Sequence, residues 1–422
     1  MMQQDEPSPD LRLREGHSLS IRVRLFMADD SSAPGSGYHA DCPRTDDTGG
    51  ELAQGAGGDR ADEAEARQRE ADARRNEYFN QLQRKSGSVR TLCRVRPRND
   101  NEAAADERMA DIDAAGSRIS LPSKLGVMKD YEFNHAFGPD AADTMVLDKA
   151  WESIEKALGG TDTTVIFYGQ TGSGKSYLMD KLIKRMSTVL FNGEGVPMCL
   201  LTTTWVEVYN GRVRDLVRRK NDPLEVDLKR DGEAWKHDGS RWKLDSLEDF
   251  QVVHKASGMR RATSKTRVNS TSSRSHSIFT LFMSGLGGRS EKTKLQLVDL
   301  AGSEEVDMDF SGLGDKDRAE KETQNAEAAA IKLGLTHLGS LVRHAEEAKR
   351  GRSRAKSSTP FFQDPLTKLV GPTIVGRGAE TLMIFMLSPL EAHRGKTLQT
   401  LLLADEVLDV HLKKSRERVE AR

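Results

Sequence analysis

The chain from about residue 89 onward alternates two hydrophobic patterns. Apolar runs with the length of a buried strand occur at 89–97, 164–168, 198–209, 277–283, 294–299 and 381–387. Apolar residues at helical spacing predict helices at 144–158, 325–344 and 397–418, whereas 216–255 is polar and predicted to be irregular. Strands that alternate with helices predict an α/β fold, with a central, mostly parallel twisted sheet and helices on both faces.

The first 87 residues have a different composition. Residues 1–60 are rich in Gly, Ser, Pro and Asp, which predicts disorder, and the chain could start at Met1 or at Met27. Residues 61–87 are rich in Ala, Glu, Arg and Gln, which favours a helix. The heptad seam of this helix is weak, so a coiled coil that dimerises the chain through 61–85 and a single solvated helix both stay open. The folded domain is expected at 88–410, with 411–422 as a short end of the last helix.

The composition excludes some classes of protein. The 422 residues carry a net charge of −1, so the overall charge identifies no partner, and no apolar run approaches the roughly 18 residues of a membrane-spanning helix. The three cysteines, Cys42, Cys93 and Cys199, lack the spacing of a metal site or a disulfide framework. Such cysteines are typical of a reducing compartment, and we expect a cytoplasmic protein.

The run from Gly169 to Ser176 carries the first chemical signal. It follows an apolar strand pattern and has the spacing G-x-x-x-x-G-K-[ST] of a phosphate-binding loop. Glycines let the backbone approach an anion, and the free N–H groups of the following helix point at the phosphates. Lys175 is predicted to reach the β- and γ-phosphates of a nucleoside triphosphate, and the Ser176 hydroxyl to bind Mg²⁺. The predicted nucleotide-binding residues of this loop are Gly169, Gln170, Thr171, Gly172, Ser173, Gly174, Lys175 and Ser176.

Two later stretches narrow the class of nucleotide-binding protein. Asp299 ends an apolar run and begins the pattern D-x-x-G, in which the Asp can hold Mg²⁺ through water and the N–H of Gly302 can sense the γ-phosphate. Residues 269–276 place hydroxyls, a guanidinium and an imidazole directly before another strand. A phosphate loop alone is compatible with kinases, GTPases and motors, but the three stretches in this order are far more specific.

These stretches resemble the motifs of the kinesin motor domain. The matching segments occur in family order over about residues 88–410 and are Cys93-Arg-Val-Arg-Pro97, Phe137-Gly-Pro139, Tyr168 to Ser176, Val206-Glu-Val-Tyr-Asn210, Ser272-Ser-Arg-Ser-His276 and Asp299-Leu-Ala-Gly-Ser-Glu304. The resemblance implies a P-loop NTPase fold that hydrolyses ATP with Mg²⁺ and binds microtubules. The stretch from Arg74 to Lys85 is similar to the neck of the C-terminal-motor, minus-end-directed kinesins.

The resemblance also implies roles for single residues. Arg274 and Glu304 would form an ion pair when their loops close on the nucleotide, positioning the attacking water and accepting its proton. The implied set has Arg94, Pro97 and Tyr177 around the adenine, Ser176, Ser272 and Asp299 at Mg²⁺, and Ser273, Arg274, Gly302 and Glu304 in catalysis.

The surface that faces the microtubule in the family departs from the family pattern. In the helix predicted at 325–344, Lys332 replaces an Asn of the family signature. Further along the chain, Gln363 and Pro365 lie where the family's Tyr-Arg-x-Ser-Lys signature is largely lost. The loop that precedes the helix of Lys332 is expected to carry Glu305, Asp307, Asp309, Asp315 and Asp317. Acidic residues there would weaken docking on an acidic track. The basic run Lys349, Arg350, Arg352, Arg354 and Lys356 is predicted to bind tubulin, against the ordinary alternative of a solvated charged loop.

Two functions of different classes remain open at this point. The first is an ATP-hydrolysing microtubule motor, favoured by the intact nucleotide motifs. The second is a non-motile microtubule- or tubulin-binding regulator with a slow or uncoupled ATPase, favoured by the altered track face and the weak neck seam. A nucleic-acid binder is disfavoured because the basic run lacks interleaved aromatic residues, and no membrane partner is expected.

Overall fold

The computed structural model describes residues 89–100, 102, 113–122, 127–192, 199–218, 224–231, 234–263, 274–285, 292–302, 315–349, 364–376 and 378–420. The N-terminal region, the predicted helix at 61–87, the acidic residues at 305–309 and the basic run beyond Lys349 therefore lie outside the described residues. No helix in the described part of the chain is long and apolar enough to cross a membrane.

The strands cover most of the apolar runs seen in the sequence. In chain order they are β1 (Val89–Val95), β2 (Asp113–Ala115), β3 (Arg118–Pro122), β4 (Met128–Glu132), β5 (His135–Phe137), β6 (Thr163–Gly169), β7 (Leu200–Tyr209), β8 (Arg212–Asp215), β9 (Glu225–Val226), β10 (Leu228–Asp231), β11 (Ala234–His237), β12 (Trp242–Leu244), β13 (His276–Ser284), β14 (Lys292–Asp299) and β15 (Glu380–Leu387).

One large sheet forms the centre of the molecule. Its strand order is β5-β1-β15-β6-β14-β13-β7-β8-β9, with β12 paired to β7. The pairs from β5 to β14 are parallel, whereas β13 runs antiparallel to both β14 and β7. The carboxyl ends of β6 and β14 and the first residues of β13 therefore meet at one edge of the sheet, where Asp299 pairs in register with both Phe167 and Ser277. This edge brings the three nucleotide motifs together.

Six helices cover the two faces of the sheet in the described residues. They are α1 (Asp143–Leu158), α2 (Lys175–Asn192), α3 (Leu247–Thr263), α4 (Asp315–Lys349), α5 (Pro365–Ile374) and α6 (Arg394–Glu420). Apolar side chains of α1, α2 and α3 pack in one core cluster, and those of α4, α5 and α6 pack in a second on the opposite face. The α/β fold with helices on both faces is confirmed, and β6 lies between the two layers with every residue buried.

The helix α1 shows why the helical spacing was informative. Val146, Ala150, Ile154 and Ala157 recur at intervals of three or four residues and are all buried. The helix α5 begins differently, because the Asp364 side chain accepts a hydrogen bond from the Thr367 N–H at 3.1 Å and so caps the helix.

The interpretation of 216–255 as irregular is wrong. This segment contains strands β9 to β12 and the start of α3. The strands are two to four residues long, too short for an alternating pattern to stand out. The helix has a capping signal that the hydrophobic pattern does not contain: the Asp249 N–H donates to the Ser246 hydroxyl at 3.1 Å, and the Asp245 N–H donates to the Asp249 carboxylate at 3.0 Å.

The helix α4 is longer than its predicted span of 325–344. It begins at Asp315, so Asp315 and Asp317 lie in the helix and not in the preceding loop as expected. The first residues of the helix are polar, so the apolar spacing used for the prediction does not reach them.

Candidate nucleotide site

The predicted phosphate-binding loop connects β6 to α2. It begins at Gly169, where a Cβ atom would lie 2.2 Å from the Met386 carbonyl oxygen, so any side chain would force the loop away from β15. Gly174 has a φ angle of +93°, which other residues rarely adopt, and it turns the chain into the helix. The loop conformation therefore depends on glycine at both ends.

Lys175 lies at the centre of this loop. Its side chain is buried, and the Nζ atom donates hydrogen bonds of 2.8 Å to the carbonyl oxygens of Gly169 and Gln170. Ser173 is also buried and holds the same turn through a 2.8 Å hydrogen bond to the Gln170 carbonyl. An ammonium group held within the loop, at the N-terminus of α2, forms a site for an anion. Both polar atoms of the buried Gln170 amide lack a hydrogen-bond partner among the described residues.

Ser176 connects the loop to the end of β14. Its hydroxyl donates a hydrogen bond of 2.6 Å to Oδ2 of Asp299. Asp299 is 1% exposed, and its Oδ1 atom has no hydrogen-bond partner in the part of the chain that the structure describes. A hydroxyl, a carboxylate and an orphaned buried oxygen are the hard oxygen ligands that Mg²⁺ prefers, so the residues present fit that ion. Ser176 and Asp299 would hold it together with a nucleotide.

A partly buried arginine that the sequence analysis missed completes this cluster. Arg261, in the last turn of α3, has its Nη1 atom 3.1 Å from Asp299 Oδ2 and its Nε atom 4.0 Å from Glu207 Oε1. Ser275 donates to the same Glu207 oxygen at 2.5 Å. Two buried carboxylates share one arginine, which leaves a negative balance that a bound cation would offset. No local motif marks Arg261, because the contact joins residues 38 positions apart.

His276 ties the start of β13 to the D-x-x-G turn. Its Nδ1 atom accepts a hydrogen bond of 3.1 Å from the Ala301 N–H, so the ring must be neutral at that nitrogen. Burial lowers the pKa of His276 to about 4. Gly302 follows directly and is buried. The stretch 269–276 and the D-x-x-G turn are therefore joined by a neutral histidine.

Arg274 has a different partner in this structure from the one implied by the family motif. Its Nη1 atom lies 2.9 Å from Glu327 Oε2 on α4, and Tyr209 donates a hydrogen bond to the other oxygen of Glu327. Ser272, Ser273 and Glu304 lie outside the described residues.

The residues predicted around the adenine are organised by Asp143, a residue that the sequence analysis did not select. The Asp143 carboxylate, at the start of α1, accepts hydrogen bonds from Arg94, Tyr177 and Lys181. Burial alone would raise the pKa of Asp143, but the hydrogen bonds from Lys181 and Tyr177 and the charge of Arg94 lower it to about 2. Arg94 is only 2% exposed, whereas the Tyr177 ring is 54% exposed. Arg94 and Tyr177, both predicted to contact the adenine, are therefore joined through Asp143, with Arg94 buried and Tyr177 exposed.

Pro97 is exposed, and the contact to the loop is made by its neighbour Arg96. The Arg96 Nε atom donates a hydrogen bond of 2.6 Å to the Gly172 carbonyl, and its guanidinium also binds Glu102. The hydrogen bond from Arg96 lowers the pKa of Glu102 to about 2. Thr171 and Gly172 form the exposed tip of the loop that Arg96 holds.

The comparisons with known proteins agree with this geometry. A family model described as "Kinesin motor domain" matches residues 94–410. The kinesin-like protein klpA of Emericella nidulans is 31% identical over 389 residues, which are 85% of this chain and 48% of the relative. The carboxy-terminal kinesin 2 of Xenopus laevis is 28% identical over 375 residues, covering 80% of this chain and 55% of the relative. The chain thus spans about half the length of these two relatives.

Solved structures support the same fold. The KIF14 dimer with AMP-PNP in complex with a microtubule has a TM-score of 0.61 at 24% identity, and the match covers 76% of this chain and 93% of that one. At this identity the likeness concerns the fold alone. The extent of the family match, together with the geometry of the loop, assigns the family: the chain belongs to the kinesin motor-domain family.

Proposed function

We propose that this chain binds and hydrolyses ATP and couples hydrolysis to microtubule binding. The observation that carries the proposal is the Ser176–Asp299 hydrogen bond, because it joins the phosphate loop to the D-x-x-G turn at the edge where a terminal phosphate would lie. The name of a structural neighbour records AMP-PNP and a microtubule in complex with a kinesin of the same fold, which supports both halves of the proposal. We also infer a cytoplasmic, microtubule-associated protein.

The chemistry we propose assigns each residue of the site one task. Lys175 leaves the loop carbonyls to contact the terminal phosphates, and Tyr177 and Pro97 contact the base above the buried Arg94. Ser176, Ser272 and Asp299 would hold Mg²⁺, which would supply positive charge to neutralise the phosphates. The Gly302 N–H senses the γ-phosphate, and Ser273 acts as a further contact to it.

Hydrolysis requires a water molecule to be positioned and to lose a proton. In our proposal Glu304 accepts that proton, and Arg274 holds Glu304 in place. Arg274 pairs with Glu327 in the present structure, so closure would exchange one carboxylate partner for another. Such an exchange moves one guanidinium between α4 and the D-x-x-G turn, which would couple the nucleotide site to the helix.

The phosphate-loop half of the proposal is tested by Lys175→Ala. We expect loss of productive ATP binding and turnover, since the variant removes the only lysine of the loop. Lys184→Ala is the matched control, because Lys184 lies on the same helix, is 66% exposed and pairs with Asp180 on the surface. Nucleotide affinity and steady-state phosphate release should be normal in the control. Normal turnover in Lys175→Ala would contradict the assignment of the loop.

A further inference from the structure

A basic cavity lies on the large central sheet, apart from the phosphate-binding loop. It has a volume of about 360 Å³ and is bounded by β7, β13, β14, the β10–β11 hairpin and α5. Lys292, at its rim, begins β14, whereas Asp299 of the nucleotide site ends that strand. Lys292 is about 23 Å from Asp299 along the strand, but Gln296, which also lines the cavity, is only about 10 Å away. Gln296 contacts α5 on one face of the sheet, whereas Asp299 contacts α2 and α3 on the other. The cavity is therefore distinct from the nucleotide site.

Cationic side chains line this cavity. Its wall contains four cationic residues, Lys236, Arg241, Lys292 and Lys294. No acidic residue lines it in the described part of the chain. The Arg241 guanidinium lies 4.0 Å above the ring of Phe282, so its position is fixed over the aromatic floor. Neither Arg241 nor Lys292 forms an ion pair with any described residue. A concentration of positive charge in which Arg241 and Lys292 have no ion-pair partner among the described residues attracts anions.

The state of the neighbouring groups is consistent with this positive field. Burial lowers the pKa of Lys294, Asp162 opposes that effect, and the charges of Arg241 and Lys236 lower the pKa further. Burial also lowers the pKa of His237. The Nδ1 atom of His237 accepts from the Gly239 N–H at 3.2 Å, so its Nε2 atom carries a proton and can donate.

The floor of the cavity contains polar groups with incomplete hydrogen bonding. Thr204 and Gln296 are 2% and 3% exposed, and the Thr204 hydroxyl and the Gln296 Oε1 atom have no hydrogen-bond partner among the described residues. The Gln296 amide nitrogen makes only long contacts, 3.4 Å to the Thr280 hydroxyl and 3.3 Å to the Leu369 carbonyl. Buried polar groups without partners are destabilising, and a polar ligand that reached the floor would relieve that penalty.

We propose that this cavity binds a compact anionic ligand that carries two or more phosphate groups. Its volume is at the lower end of the range for small-molecule sites, which favours a small ligand over an extended acidic peptide. Phosphate groups match lysine and arginine donors because each offers several charged acceptor oxygens. A ligand in this position would bridge the β10–β11 hairpin, α5 and the three central strands.

The proposal is tested by titrating inorganic tripolyphosphate into the full chain with the nucleotide loop blocked. Calorimetry in saturating Mg·ADP, repeated in the Lys175→Ala background, separates the cavity from the loop. We expect one binding event in both conditions. The double variant Arg241→Gln/Lys292→Gln should weaken it at least about tenfold, since it removes two charged hydrogen-bond donors.

The matched control is Lys243→Gln/Lys255→Gln. It also removes two positive charges, but from exposed positions that do not line the cavity. This control should bind tripolyphosphate within twofold of the parent chain. Equal weakening in both double variants would mean that binding follows net charge only, and absence of binding with the loop blocked would also overturn the proposal. A hexaglutamate peptide serves as the second probe: if it binds in place of tripolyphosphate, the cavity is a contact for an acidic polypeptide and the proposal is wrong.

Discussion

One ion pair, between the buried Arg94 and Asp143, stabilises part of the candidate nucleotide site. Asp143 accepts hydrogen bonds from donors on β1 and α2, and it is the counter-charge of Arg94, which is almost completely buried. Removal of one partner from a buried ion pair leaves an uncompensated charge, which is far more destabilising than the loss of an exposed pair. Asp143 therefore positions Arg94 and Tyr177, the residues predicted to contact the adenine, without itself needing to contact the nucleotide.

Asp143→Asn should accordingly destabilise the domain by about 3 kcal/mol, because Arg94 would remain buried without its carboxylate. Asp148→Asn is the control on the same helix: Asp148 is 62% exposed and pairs with Arg185, so its loss should change stability by about 1 kcal/mol or less. Thermal unfolding of both variants distinguishes them. Equal unfolding temperatures would show that Asp143 has no special structural role.

His276 makes stability depend on pH in a defined window. Its pKa is about 4 in the folded chain and about 6.5 when unfolded, so between these values only the unfolded chain binds the proton. Stability contributed by the neutral ring is complete above pH 6.5 and is lost as the pH falls towards 4, by at most about 1.4 kcal/mol per pH unit. His135, with a pKa that burial also lowers to about 4, acts in the same window.

The variant His276→Gln should lose part of this dependence, and His135→Gln/His276→Gln should lose more. Unfolding temperatures measured at intervals from pH 7.5 to 5 give the slopes. The carboxylates of Asp143 and Glu102, with pKa values of about 2, contribute mainly at lower pH and do not confuse the comparison. An unchanged slope in both variants would show that neither histidine is held neutral.

Among the structural elements, α4 carries a glycine, Gly334, in its interior. Gly334 is buried in the helix interior, yet a Cβ atom there would meet its nearest neighbours, Asp364 and Leu366, at 3.8 and 4.0 Å, which are ordinary contact distances. Gly334→Ala should therefore stabilise the chain by up to about 1 kcal/mol. Gly339→Ala is a useful comparison, since its Cβ would already be 3.4 Å from Leu403 and should give a smaller gain. A loss of stability in Gly334→Ala, measured by thermal unfolding, would contradict this account of the helix.

The elements that the sequence predicted correctly are those whose information is local. β6, its glycine-rich loop and α2 are specified by one continuous stretch, and α1 by its own apolar spacing. The strands β9 to β12 are only two to four residues long, and β12 pairs with β7, far from it in the chain, so the local pattern does not reveal them. The same reason explains why Arg261 and Asp143 were missed, because their roles arise only when α3 and α1 pack against the sheet edge.

At the scale of the whole molecule, the direction of β13 is the feature that makes a switch site feasible. Because β13 runs antiparallel to β14, its first residues lie beside the last residues of β14 and next to the phosphate loop. Arg274 then reaches from this edge to Glu327 on α4, and α4 packs on the opposite face from α2. The Arg274–Glu327 ion pair thus connects the candidate nucleotide site to the helix that carries Lys332. Lys332 is one of the residues at which the surface predicted to face the microtubule departs from the family pattern.

The proposed coupling between ATP hydrolysis and microtubule binding in this chain is tested by the rate of ATP turnover with and without microtubules. We expect strong stimulation, because microtubule binding at α4 would bias the exchange of Arg274 between Glu327 and Glu304. Glu327→Gln, which keeps the shape of the side chain but removes its charge, should raise turnover without microtubules and reduce the stimulation. A turnover rate that microtubules leave unchanged, in a chain that binds them, would contradict the claim and identify a non-motile, uncoupled binder.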